Sequence, residues 1–417
     1  MNPLFLVIGF LLFLIIMLNP FLGLLATVVL LPQALVQAMS ESLFGLLTMA
    51  TPIKILGGIT FLSALFHTVF RGKKVLFFKF RQITWYSLFF VWILISGFSM
   101  PCFATRENFT QFISFGILGF ILFALINNIR QFRIVIWTFL VSVTIISLGT
   151  VFSWNVNGSR VGGTAYGANE FAIELLPCLA LAFCNIFAER KKYLKTILAI
   201  ISIILFLTLV NTLSRGGMIG LAGMLLISLL SANKKIKTFI FLSLLVLVIV
   251  NVTPQQFWDR FSKTKVVDTY TGDEAIDSAS RRYYLAQAGW RIFLEHPIRG
   301  IGIGNYYYEC RNYAPVIAGR AHNMYLEMMA ELGTIGILLF AGIIFYTFKS
   351  LLKLMKGQYP YNAYARGFYL GLWGFLIAGI FLHAEQDKIL WFVIFMVPAL
   401  ANIASPNVRR VNNVKAK

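Results

Sequence analysis

Charge is scarce in this chain of 417 residues, and acidic charge is the scarcest: Asp and Glu together number 16 against 36 Lys and Arg. Only 12% of residues are charged, 59% are hydrophobic and the mean hydropathy is +0.78, which excludes a soluble globular protein. Cysteine is nearly absent. Cys102, Cys178, Cys184 and Cys310 form no CxxC pair and show no Cys/His spacing suited to zinc, so neither a disulfide framework nor a zinc site is expected. The few acids include no DxD pair on the outer face, and Asp268, Asp273, Glu274 and Asp277 miss the EF-hand spacing. No metal and no cofactor are therefore expected. No stretch shows the ten-residue alternation of a membrane barrel, no repeat of solenoid period occurs, and no matched pair of broken helices marks an inverted-repeat transporter. The N-terminal apolar stretch lacks a preceding basic region and a small-residue cleavage site, and reads as a retained anchor.

What is abundant is apolar sequence in runs near the roughly 20 residues of a membrane-crossing helix. The expected fold is all-α, a polytopic integral membrane protein of about 12 transmembrane helices with one large extracytoplasmic loop. The runs fall at 52–70, 83–99, 111–128, 134–152, 169–188, 195–212, 216–232, 238–253, 324–348, 363–382 and 388–404. Ahead of them, residues 4–36 are broken by Asn19-Pro20 and admit one kinked helix or two short ones. Basic clusters fill alternate connections: Arg71 to Arg81, Arg130 and Arg133, Arg190 to Lys195, Lys234 to Lys237, and Lys349 to Arg366. The positive-inside rule puts these clusters and both termini in the cytoplasm, which accounts for the net charge of +20 without nucleic acid. One membrane domain then covers 1–417, with helices 1–9 in 1–253, the outer loop at 254–322, helices 10–12 in 323–404 and a cytoplasmic tail at 405–417.

The outer loop, about 69 residues, is too long for a mere connection. Between Ser280 and Glu295, Leu285, Ala288 and Ile292 recur at helical spacing with Trp290 and Phe293 beside them. That predicts an amphipathic helix lying against the outer face of the bundle and ending at Pro297. Gly300, Gly302 and Gly304 predict a turn before Tyr306-Tyr307-Tyr308; without a preceding strand this GxGxG is no nucleotide fingerprint. His296 reads as a turn residue.

Chemistry concentrates where the loop turns into the next helix. Arg320, His322 and Asn323 stand at that mouth, and Asn323, Glu327 and Glu331 share one helical face, which in lipid must look inward. Arginine is also dense on the outer side, including Arg160, Arg215, Arg281, Arg282 and Arg320; the ordinary reading of any one is a solvated charge beside an acid. Two positions resist that reading. Arg215 follows Ser214, a helix cap, and precedes Gly216-Gly217, where free N–H groups suit an anion of phosphate size. Arg281-Arg282 begin the loop helix, and guanidinium suits two-point contact with a diphosphate. His322 is one of four histidines, with His67, His296 and His383. Such a residue at a helix end is commonly a structural hydrogen-bonder, yet the helix N-terminus and nearby arginines disfavour imidazolium, so a neutral ring able to accept a proton is expected. Glu170 and Glu174 share a face near the outer end of their helix, and either neutralise arginines or orient an acceptor sugar.

Taken together, Ser214-Arg215-Gly216-Gly217, the stretch from Arg282 through His296-Pro297 to Gly300-Ile301-Gly302-Ile303-Gly304-Asn305, and Ala321-His322-Asn323-Met324-Tyr325-Leu326-Glu327 with Glu331-Leu332-Gly333 resemble the O-antigen ligase and polymerase family. The resemblance spans roughly Arg160 to Phe348 and extends to the plan of many helices with one large late outer loop. It implies a membrane-embedded, metal-independent glycosyltransferase of the bacterial inner membrane, working on the periplasmic side with a glycan carried on undecaprenyl diphosphate. By the same resemblance Arg215 and Arg282 grip the diphosphate, with Arg281 an almost equal candidate, and His322 activates the acceptor hydroxyl. Arg160, Glu170, Glu174, Arg320 and Asn323 are candidate substrate contacts. The leading reading is a ligase whose acceptor is lipid A core; a polymerase joining lipid-linked repeat units is the alternative. From another class, a transporter or flippase should carry polar residues at mid-helix depth, and few are present beyond His67.

Overall fold

The structure, a computed structural model, describes residues 3–32, 51–70, 80–99, 103–157, 167–232, 278–314 and 319–405, with six isolated positions between 235 and 258. The described residues are helical, with no strand. Nearly all of the expected run at 238–253 and of 254–277, Arg160, Cys102 and the tail from 406 lie outside the described residues.

The initial apolar stretch forms two helices, α1 (Pro3–Leu18) and α2 (Pro20–Val29), bent by 118°. Asn19 makes the break by accepting from Phe21 N at 3.2 Å, and Pro20 sits at the first helical position, where its missing N–H is not needed. The helices that follow track the apolar runs: α3 (Thr51–Phe70), α4 (Arg81–Ser99), α5 (Phe103–Leu125), α6 (Ile129–Asn157), α7 (Ala168–Ala188), α8 (Lys192–Asn211) and α9 (Arg215–Leu230). The loop helix α10 (Ser278–Glu295) and the short α11 (Tyr306–Glu309) precede α12 (Met324–Met355), α13 (Tyr361–Ala378) and α14 (Lys388–Ala404). Six of these are long and apolar enough to cross a membrane by length and composition: α3, α5, α6, α7, α8 and α12. The bent α1–α2 pair would add a seventh as one span, and α9 and α14 are apolar but shorter.

The core lies around α14, in which every residue from Ile389 to Leu400 is buried, the mark of a helix surrounded by others. Trp391 is its largest member, stacked on Phe89 and Phe115 and edge-on to Tyr86 and Phe112. The two ends of the bundle differ in chemistry. At one end Arg133 pairs with Glu189, and Arg190 lies over the Tyr359 ring at 5.4 Å. The other end gathers the starts of α7, α9 and α12, the loop helix, and the α13–α14 connection.

That second end is held by a break in α12. Gly333 has φ 64 and ψ −167 in mid-helix, a conformation reserved for glycine, and the ladder opens around it. The 297–302 turn fills the gap. Ile301 N and Gly302 N donate to the carbonyls of Ala330 (3.0 Å) and Glu331 (2.9 Å), while Thr334 N and Ile335 N donate to those of Pro297 (2.8 Å) and Ile298 (3.3 Å). Trp92 Nε1 takes the Leu332 carbonyl at 2.9 Å, so the opened backbone is satisfied inside the protein, as a membrane setting demands. Backbone contact this close leaves no room for side chains: a Cβ on Gly300, itself at φ 68, would lie 2.3 Å from Glu331 C. The turn at Gly300 and the Glu331-Leu332-Gly333 element, which begins 31 positions later, are two halves of one joint.

Candidate active site

Below this joint α10 packs as its pattern predicted. Leu285, Ala288 and Ile292 are fully buried against Ile301, Tyr306, Cys310, Ala321 and Ala330, while Tyr283, Trp290 and Leu294 face outward. Pro297 follows the end of the helix, and His296 lies in the turn, its carbonyl accepting from Gly300 N.

The start of α12 is built to hold the Arg320–Asn323 turn. Asn323, a candidate substrate contact, caps the helix, its Oδ1 accepting from Tyr325 N and Leu326 N at 3.1 Å each. Glu327, fully buried, binds Arg320 Nη1 at 2.7 Å through one oxygen and Ala321 N at 3.0 Å through the other. Glu331, one turn on and equally buried, accepts from Tyr306 N at 3.1 Å. The inward face predicted from the four-residue spacing is therefore a scaffold for the turn. Between these anchors His322 sits at φ 51, in the left-handed region that residues with a Cβ seldom occupy. Leu213, at φ 52, stands just before Ser214 in the same way, so α9 and α12 are each entered through a residue in this conformation.

Ser214 caps α9 as expected, accepting from Gly217 N at 3.3 Å. The glycines after Arg215 have a packing use that the sequence alone does not announce. A Cβ on Gly217 would lie 2.7 Å from Ala172 Cβ, and one on Gly216 would crowd Phe381 and Leu382 at 3.3 Å. They are small because α7 and the α13–α14 connection press on them, and Gly217 N is already taken by the cap. The packing sets half-buried Arg215 at the rim beside that connection. Of the neighbouring pair, Arg282 is half-buried and is the arginine that bears most on the His322 ring, whereas Arg281 is exposed and lies against Gly319.

The α13–α14 connection, residues 380–387, supplies what the sequence reading missed. The His383 ring meets that of His322 at 5.5 Å between centroids, and His383 Nε2 stands 3.6 Å from Glu170 Oε1. Glu385, 3% exposed, brings Oε1 to 3.9 Å from Arg320 Nη1. Asp387 caps α14 through Ile389 N at 2.7 Å and Leu390 N at 3.3 Å. Trp391 Nε1 to Glu385 O and Gln111 Nε2 to Gln386 O, both 2.9 Å, pin the backbone. The available signal was compositional: His383-Ala384-Glu385-Gln386-Asp387 is a dense polar run between two apolar segments of an acid-poor chain. Glu170 thus joins the site at the start of α7. Glu174, a turn deeper, is fully buried and bears on Lys388 and Cys178.

Burial, then Arg282, His383 and Arg281, push the His322 imidazole down to about 3, so the ring is neutral at pH 7. His383 is also lowered, by burial against the opposing pull of Glu327 and Glu170. Glu385 moves the other way, raised to about 8 by burial and the charge of Glu327. A neutral base, guanidinium groups and a half-open rim can together remove a proton from a hydroxyl while holding an anionic leaving group.

Residues 200–341 match the family model of the O-antigen ligase, roughly a third of the chain. The matched span contains Arg215, Arg281, Arg282, Arg320 and His322 and ends within α12; Glu170 and the 380–387 connection lie beyond it. The match supports the O-antigen ligase family and a ligase- or polymerase-type enzyme, with lipid-linked glycans and membrane lipids as the partners that family implies. No curated protein matches the chain.

Proposed function

We propose that the protein is a glycosyltransferase of the ligase type, moving a glycan from undecaprenyl diphosphate to a hydroxyl of lipid A core at the periplasmic face of the bacterial inner membrane. The observation that carries this reading is the place of His322, beside Arg282 and ring to ring with His383 at 5.5 Å, at the rim where the loop, α7, α9 and α12 converge. His322 removes the proton of the acceptor hydroxyl as its oxygen attacks the anomeric carbon. The bond from that carbon to the diphosphate oxygen breaks, and attack from the opposite face inverts the centre. The leaving group needs charge stabilisation rather than a protonating acid, and Arg215 and Arg282 supply it in two-point contacts. Arg281 serves as an outer guide and Arg320 holds the turn through Glu327. The fold proposed for this work is the full set of about 12 spans with 254–322 outside, apolar grooves between helices receiving the polyprenyl tail. The test is transfer by the purified protein in lipid from undecaprenyl diphosphate-linked glycan, offered lipid A core or a second lipid-linked unit as acceptor. Product on lipid A core supports the ligase, product on the second unit makes the protein a polymerase, and no product on either overturns the reading.

A further inference from the structure

Two buried imidazole nitrogens at the rim lack a hydrogen-bond partner, and they belong to touching rings. His322 Nδ1 and His383 Nδ1 are both buried and unpartnered, with the rings edge-to-face at 5.5 Å and 66°. The two nitrogens are not bonded as the rings stand; turning the rings out of the edge-to-face arrangement, so that one Nδ1–H meets the other Nδ1 lone pair at about 3 Å, leaves the centroids about 5 Å apart, close to where they already are. His67, by contrast, has the Ser63 carbonyl at 3.0 Å from its Nδ1. Beyond His383 the next group is the Glu170 carboxylate, 3.6 Å from Nε2 and 26% exposed. A line of three groups therefore runs from the inner side of the base to the surface.

Resting on the reading of His322 as the base, we propose that His383 and Glu170 are its positioning residues and form a proton relay. With the rings turned so, His322 Nδ1–H donates to His383 Nδ1, which leaves His322 Nε2 as the acceptor toward substrate, and His383 Nε2–H faces Glu170 Oε1 across 3.6 Å. When the acceptor O–H bond breaks and an N–H bond forms at His322 Nε2, the Nδ1 proton passes to His383 Nδ1. The Nε2 proton of His383 then passes to the Glu170 carboxylate, from which water takes it. Nothing is oxidised or reduced: one proton leaves for each glycosidic bond formed, and both rings recover their tautomers by exchange with water once product departs. The charges facing this line are Arg281 and Arg282 from α10, Arg320 and Glu327 at the start of α12, and Glu385 in the same connection as His383. The arginines disfavour imidazolium, so the proton is passed on rather than stored.

The test uses the full chain in lipid. His383→Ala is expected to lower kcat ~10–100-fold, the usual effect of losing a group that orients a histidine, with the donor KM unchanged and kcat restored by added imidazole. His383→Gln, which fills the space but cannot relay, is expected to stay low. ¹⁵N histidine spectra should show a single Nδ1–H tautomer for His322 in the parent and a mixture in Glu170→Gln, a readout that needs no substrate and no His383 variant. The reading of His322 fails separately, through His322→Ala that still transfers. The relay alone is overturned if His322→Ala is inactive while His383→Ala keeps its kcat, loses it without imidazole rescue, or if Glu170→Gln leaves the His322 tautomer unchanged.

Discussion

Gly333→Ala should be among the most damaging single substitutions available at this end of the bundle, although it adds one methyl group. The φ 64, ψ −167 conformation costs a non-glycine residue about 1–3 kcal/mol. The new Cβ would lie 2.3 Å from the Ile298 carbonyl oxygen, so the turn must move. Moving it breaks the bonds from Thr334 N and Ile335 N to Pro297 and Ile298, about 0.5–1.5 kcal/mol each. The expected loss is therefore about 2–6 kcal/mol, a large share of the ~5–15 kcal/mol that keeps a typical domain folded. Gly57→Ala is the matched control: it lies within α3 with nothing within 4 Å of the added Cβ, and should be neutral or gain about 0.5–1 kcal/mol. Unfolding of the purified protein in lipid, followed by tryptophan fluorescence, measures both. Gly300→Ala should behave like Gly333→Ala, and the double variant should lose less than the sum, because either change already opens the joint. If Gly333→Ala unfolds within about 0.5 kcal/mol of the parent, the turn is not locked into the helix break and the reasoning fails.

Arg215→Lys and Arg282→Lys should each lose most transfer activity, because a point charge cannot reproduce two-point guanidinium contact, whereas exposed Arg281→Lys should lose less; turnover with lipid diphosphate donor separates them. Stability should depend on pH at both limbs. The unfolded chain protonates His322 near 6.5 and the folded ring only near 3, so the unfolded state holds more protons in that window and stability falls as pH drops through it. Glu385, raised from 4.5 to about 8, contributes fully below about 4.5 and loses its contribution as pH rises toward 8. Tm against pH should show a shallower acid slope in His322→Asn and a shallower alkaline slope in Glu385→Gln. For topology, Cys310 is fully buried and should resist thiol reagents, so an introduced Tyr307→Cys, at a 41% exposed position, is the reporter. It should label from outside with a membrane-impermeant reagent, and labelling only after membrane rupture would reverse the orientation.

Much of this architecture was readable because lipid leaves few options. Apolar runs of helical length became α3 to α9 and α12 to α14 with boundaries moved by up to eight residues, and Leu285, Ala288 and Ile292 gave both the existence and the buried face of α10. Arg215, Arg282 and His322 stand out as candidates in the sequence because charge and helix starts coincide there. The role of Gly300 and Gly333 does not, since a backbone-to-backbone joint has no side-chain signature and its two glycines lie 33 positions apart. His383 and Glu385 were passed over for a similar reason. They are short-range neighbours of nothing in the motif, and only the packing of α13 and α14 against α12 and α7 brings them to His322 and Arg320.

The central claim is that His322 is the base of a lipid diphosphate-dependent transfer, and it is tested most directly by His322→Ala assayed in lipid with undecaprenyl diphosphate-linked glycan, with transfer normalised to folded protein. The account predicts a fall of ~10²–10⁴-fold in turnover with donor binding and unfolding temperature close to the parent's, since the arginines and the Asn323 cap are untouched. A variant that keeps most of its specific activity, or that loses activity only in proportion to lost folded protein, would contradict it.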